Sequence, residues 1–181
     1  MRWLILVLLS TLLSTLLATL VAPPVLAETR DPHAHFFMPK LGDFKDELAT
    51  ARQEGKHGVL IMFEMDECPF CARMKANVLN QRPVQEYFRQ HFLVYSVDVK
   101  GDAPMTDFKG KATTEKAFAL EQRARATPVF VFYDLDGNPA TRFTGATQTA
   151  EEFLLLGRYV VDGVHKTKLP FNVYKKQGAP Q

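Results

Sequence analysis

The sequence predicts an α/β fold: a mixed sheet flanked by helices, with an N-terminal arm and a C-terminal tail. Three observations carry that expectation. Val59–Phe63 and Val129–Tyr133 are continuous apolar runs without alternation, the pattern of strands buried on both faces. Helix-patterned stretches stand between successive strand candidates, as strand–helix–strand units require. Asp136-Gly137-Asn138 is a tight-turn signal that closes the strands in a terminal hairpin.

Composition narrows the class further. The chain has 181 residues, with 22 basic against 20 acidic and a net charge of +2. No basic run compensates for that balance, so a nucleic-acid footprint or a polybasic membrane patch is not expected. All 14 phenylalanines lie beyond residue 27, which predicts an aromatic-rich core. Residues 1–27 read differently from the rest. Met1-Arg2 is followed by an apolar stretch to Ala22, a Pro23-Pro24 break and Val25-Leu26-Ala27. This is the pattern of a secretory signal cleaved after Ala27. An uncleaved anchor is the alternative, since about 20 apolar residues just span a bilayer. Either reading places the rest of the chain outside the cytoplasm, in a compartment where disulfides persist.

Residues 28–40 read as an extended arm, 41–162 as the domain and 163–181 as a polar, loosely patterned tail. Asp43 caps a helix reaching about Glu54, with Phe44, Leu48 and Ala51 on one face and Gly55 as its stop. The strand Val59–Phe63 follows, then Asp66-Glu67-Cys68-Pro69-Phe70-Cys71 and a helix carrying Met74, Val78 and Leu79. Pro83 opens another helix with Val84, Tyr87 and Phe88 inward. Phe92–Val99 is the second central strand. Lys100–Lys111 reads as a loop, and Thr113 or Thr114 starts a helix to about Arg123. Thr127-Pro128 precedes the strand Val129–Tyr133, and Thr141–Thr144 completes the hairpin. Thr149-Ala150-Glu151-Glu152 is a capping box for the closing helix.

Cys68 and Cys71 are the only cysteines, and they stand where a buried strand meets a helix. A helix N-terminus offers unpaired N–H groups and positive potential, both of which stabilise a thiolate on Cys68. The three-residue offset puts the second sulfur one turn away, placed to attack a mixed disulfide formed by the first. Pro69 suits a first helical turn, where its missing N–H costs nothing. A structural zinc site needs four ligands, and no second paired Cys or His motif exists. Covalent haem needs a histidine after the second cysteine, where Ala72 stands. A purely structural disulfide closing so short a loop would constrain little of the unfolded chain. The pair therefore points to redox chemistry, with no cofactor beyond its own disulfide.

With Cys68-Pro69-Phe70-Cys71 and Thr127-Pro128 before the penultimate strand, residues from about Leu41 to Val161 resemble the thioredoxin superfamily. The finer pattern is similar to the secreted thioredoxins of the bacterial sulfur-oxidation (Sox) system. Met62-Phe63-Glu64, Asp107-Phe108, Thr127-Pro128-Val129-Phe130 and Asp136-Gly137 come in the same order. The resemblance implies a cis Thr127–Pro128 bond facing the disulfide, and a Thr127 backbone that pairs with an extended substrate segment. It also implies client proteins with disulfides and a membrane thiol-transporting electron donor. Two departures stand out. The tryptophan that many relatives carry before the first cysteine is Glu67 here, and the position of their buried aspartate is Met62. Glu64 is the nearest substitute acid. Pro69-Phe70 is closer to the glutaredoxin dipeptide than to Gly-Pro.

Around Cys68, Glu64, Asp66 and Glu67 oppose a thiolate, while Arg73 and Lys75 follow along the helix. His33 and His35 flank Ala34 in the arm and could bind a metal ion with the new N-terminus, but two histidines in a flexible arm are more often incidental, and His57, His91 and His165 show no ligand spacing. The sequence reading is thus a periplasmic, monomeric thiol–disulfide oxidoreductase acting as a reductase. A disulfide oxidant or isomerase, and a metal-delivery module using both thiols, are the alternatives.

Overall fold

The structure is a computed structural model that describes residues 28–39 and 42–177. The signal reading of residues 1–27 and the last four residues of the tail lie outside the described residues.

Strand β1 (Gly58–Glu64) is the spine, buried at every position. It pairs in parallel with β2 (Phe92–Asp98) and antiparallel with β5 (Val129–Tyr133), which pairs with β6 (Pro139–Thr144), giving the order β2-β1-β5-β6. Alternation along the strands divides the core in two. Leu60, Met62, Val94, Phe130 and Phe132 face one aromatic cluster, and Val59, Ile61, Phe63, Tyr95 and Val131 face the other. Burial on both faces explains why β1 and β5 read as unbroken apolar runs.

Helices cover both faces. On the first lie α3 (Pro69–Met74), running on into a π turn over Lys75–Leu79, then α4 (Arg82–His91) and α6 (Ala150–Val161). On the second lie α2 (Phe44–Gln53) and α5 (Glu115–Glu121). The caps read from sequence are in place. Asp43 accepts from the Lys45 and Asp46 amides at 2.9 and 3.1 Å, and Thr149 accepts from the Glu152 amide at 3.2 Å. Thr114 caps α5.

Three segments differ from expectation, each because apolar side chains found a place to bury. The arm is only partly extended. Asp31 caps a single helical turn, α1 (Pro32–His35), by accepting from the His33 amide at 3.0 Å. Phe36 and Phe37 then enter the core, Phe36 packing against Phe88 and Phe153. The arm is stitched down by Arg30 N–H to Asn80 O and Met38 N–H to Val94 O, both 2.7 Å.

The Lys100–Lys111 stretch is not a plain loop. It contains β3 (Pro104–Thr106), paired with β4 (Ala112–Thr114), and Phe108 at the hairpin's turn stacks on Phe44 with ring centroids 5.0 Å apart. Gly137, in the β5–β6 turn, is held at φ +77°, and a Cβ there would lie 2.7 Å from Phe108 Cβ, so glycine is required on both counts. The tail also folds. Helix α7 (Phe171–Gln177) buries Tyr174 against α6, and Lys175 pairs with Glu152 at 2.8 Å. Widely spaced apolar residues, Leu169, Phe171 and Tyr174, make too short a pattern for a sequence reading to pick out.

The arm carries a direct expectation. Phe36 is 0% exposed, so Phe36→Ala removes a ring from a packed site and should cost about 3–5 kcal/mol in urea unfolding. A loss under about 1 kcal/mol would mean that the arm is not part of the cooperative core.

Candidate active site

Where β1 ends at Glu64 the chain turns through Asp66 and Glu67 and enters α3 at Cys68. Cys68 is the N-cap residue, with extended backbone (φ −101°, ψ 102°) and Pro69 in the first helical turn. Its Sγ accepts the Cys71 amide at 3.1 Å. A sulfur that takes a helix-start N–H is stabilised most when it is a thiolate, since a charged acceptor strengthens the bond. Cys68 and Cys71 are joined as a disulfide with Cα atoms 5.2 Å apart. Both are enclosed, at 3% and 2% exposure. Exposure therefore does not separate the two cysteines; the hydrogen bond does.

The same end of the sheet receives Thr127-Pro128. Val129 pairs with Phe63, the penultimate residue of β1, so the residues before Val129 arrive beside the reacting turn. The Thr127–Pro128 peptide bond is cis, and the Pro128 carbonyl accepts from the Gly145 amide at 2.8 Å. The Thr127 N–H, C=O and buried Oγ1 have no hydrogen-bond partner among the described residues.

A family model described as a thioredoxin-like domain matches residues 44–161. The chain belongs to the thioredoxin-like family. No curated protein matches it in sequence. Among solved structures it is similar to a thioredoxin-fold protein from Helicobacter pylori, with TM-score 0.54 and 20% identity, over 67% of this chain and 79% of that one. It is also similar to a thioredoxin from Thermus thermophilus, with TM-score 0.50 and 29% identity, over 66% and 84% of the two chains. A DsbH oxidoreductase aligns with TM-score 0.54 and 14% identity, over 72% and 89%. With this family and the Cys68–Cys71 pair, the protein is a thiol–disulfide oxidoreductase.

Within the thioredoxin-like frame, the acids around Cys68 are not the free charges that their spacing suggests. Glu64 is nearly buried, ion-paired to Lys75 at 2.6 Å and hydrogen-bonded by the Ser96 hydroxyl. Glu67 is exposed and pairs with Lys100 at 2.7 Å, whose hydrogen bond and charge hold its carboxyl below the ordinary range. Two of the three acids are thus matched by cations, which weakens their opposition to a Cys68 thiolate. Met62 is wholly buried. Phe70 is 54% exposed, with the Arg73 guanidinium 5.1 Å from its ring centroid. In the sequence Lys75 stands only as a charge on the helix. Its pairing with Glu64 spans from a strand end to the π turn, where no fixed spacing signals it. His33 and His35 stay with the arm, away from the cysteine turn in sequence, and among the described residues no cluster of His, Cys and acid side chains could hold a metal.

Two outcomes follow from this geometry. Cys68→Ser should abolish disulfide reduction, while Cys71→Ser keeps the first attack and accumulates mixed disulfides. Equal reaction of both thiols with iodoacetamide at neutral pH would contradict the assignment of Cys68 as nucleophile. Glu64→Ala should lower stability by about 1–3 kcal/mol, because Lys75 and Ser96 lose their shared acceptor in a half-dry site. The double variant Glu64→Ala/Lys75→Met should recover part of that loss in a double-mutant cycle with the two single variants, read by urea unfolding. Additive losses would show that the pair is not coupled.

Proposed function

We propose that the protein is an exported reductase of protein disulfides, working in a bacterial periplasm. The observation that carries this reading is the Cys71 N–H to Cys68 Sγ bond at a helix start, which singles out one sulfur as nucleophile. In the reduced protein the Cys68 thiolate attacks one sulfur of a client disulfide. The other client sulfur leaves as a thiolate and is protonated. Cys71, deprotonated, then attacks Cys68 Sγ and the second client thiol departs. Two electrons pass from the dithiol to the client, and the Cys68–Cys71 disulfide remains. A membrane thiol-transporting protein returns the two electrons. The unpartnered main chain of Thr127 supports docking of an extended client segment beside the disulfide. The Met1–Ala27 leader supports export.

The pattern similarity to secreted Sox thioredoxins supports a sulfur-carrier protein as client, with a cytochrome-maturation protein as the second choice. The charges support the reducing direction. A strong oxidant owes its potential to an unusually stable reduced form. Here the helix terminus stabilises the thiolate, but the two lysines at the reacting turn are committed to carboxylates: Lys75 to Glu64 and Lys100 to Glu67. Neither pair adds net positive charge at the turn, which supports an ordinary rather than a deeply stabilised thiolate. Equilibration with glutathione buffers should therefore give a midpoint potential below about −180 mV, the level of an isomerase. Thiol labelling is the readout, since the only tryptophan, Trp3, lies in the leader. A midpoint of about −120 mV would make the protein an oxidant and withdraw the reductase reading.

A further inference from the structure

Apolar side chains and three cations together line a groove of about 330 Å³ that reaches Met65, three residues before Cys68. Met65, Val99 and Leu120 supply apolar surface, and Lys100, Lys116 and Arg125 are its charged lining. Met65 ties it to the reacting turn, because its carbonyl accepts the Cys68 amide at 3.3 Å. At the other side Arg125 stands two residues before Thr127. Leu120 is 63% exposed, unusual for a large aliphatic side chain in a fold that buries most others. The three cations are not equivalent. Lys100 is committed to Glu67, whereas Lys116 and Arg125 have no carboxylate partner among the described residues.

The geometry points to a client-docking groove that selects a segment in which an apolar side chain is flanked by carboxylates, close in sequence to the client's reacting cysteine. This rests on the oxidoreductase reading and adds the substrate class to it. An extended segment pairing with the Thr127 main chain passes Arg125 within two residues, a span of about 7 Å. An apolar side chain on that segment covers Leu120 and Met65, and its neighbouring carboxylates meet Lys116 and Arg125. A client with lysines at those positions would place like charges face to face, so the charged lining rejects as well as attracts.

The test uses two tetrapeptides, each with leucine between two charged residues ahead of its cysteine, acidic in one and lysine in the other. Each peptide carries its cysteine as a mixed disulfide with 5-thio-2-nitrobenzoate. The Cys68 thiolate attacks the peptide sulfur and the coloured nitrothiobenzoate leaves. Cys71 then breaks the Cys68–peptide bond, releasing the peptide thiol, so the protein dithiol is oxidised by two electrons as the mixed disulfide is reduced. With reduced full-length protein the acidic peptide should react about 5- to 10-fold faster than the lysine one at low salt. That ratio should shrink toward unity in about 0.5 M NaCl. In Lys116→Glu/Arg125→Glu the ratio of the two rates should invert, a comparison made within one protein sample and so independent of how much of it is active. Replacing the leucine by glycine should slow the acidic peptide.

Equal rates for the two peptides in a wild-type protein that still reduces hydroxyethyl disulfide would overturn the groove and leave the reductase standing. A protein that reduces neither hydroxyethyl disulfide nor either peptide would withdraw both. A ratio untouched by the charge swap, or sedimentation as a dimer with no peptide preference, would assign the groove to something other than a client and overturn the proposal.

Discussion

Burial of β1 on both faces is the constraint on which the site depends. A strand packed between two aromatic clusters has no freedom to slide, since a one-residue slip would exchange its two faces. Its end at Glu64 is therefore fixed, and so is the turn that delivers Cys68 to the first position of α3. Val129 pairs with Phe63 in the same sheet, which fixes the arrival of Thr127-Pro128 at that end. The Cys68 sulfur and the cis Thr127-Pro128 segment are thus both referenced to one immobile element. That is the physical meaning of preorganisation here: the geometry is set by packing before any client arrives.

Electrostatics at the turn tell a second story. Read as a list, Glu64, Asp66 and Glu67 crowd the nucleophile with negative charge. Folded, each glutamate has found a lysine, Lys75 from the π turn and Lys100 from beyond β2. The two pairs differ in weight. Glu67–Lys100 is in water and screened by salt, so it contributes little to stability. Glu64–Lys75 is mostly enclosed and also holds Ser96, so it fixes the strand end to the helix as well as cancelling charge. The π turn that carries Lys75 widens the helix locally, a distortion that is frequent near functional sites.

Much of this was legible in the sequence because the signals were strong and local. Unbroken apolar runs gave β1 and β5, Asp43 and Thr149 gave two helix starts, and the cysteine spacing gave the reacting turn. What was not legible depended on partners distant in the chain. Phe36 and Phe37 show no periodicity of their own, and only the presence of Phe88 and Phe153 makes a place for them. Phe108 is in the same position with respect to Phe44, and Tyr174 with respect to Tyr159. Lys100 lies 33 residues from Glu67, and no spacing rule joins them. The enclosure of Cys68 in the disulfide form was likewise invisible, since sequence shows the helix start but not what closes over it.

The hydrogen bond from the Met38 amide to the Val94 carbonyl has a consequence for the protein's behaviour in a crowded compartment. Strand β2 is an outer strand, paired on one side only, and rich in Phe, Leu, Val and Tyr. Such an edge is a template for another chain's strand, the first step toward aggregation. By running the arm against Val94 and sinking Phe36 and Phe37 beneath it, the fold occupies part of that edge with its own backbone. The segment that the sequence presents as a plain lead-in thus covers part of an outer strand with the fold's own backbone.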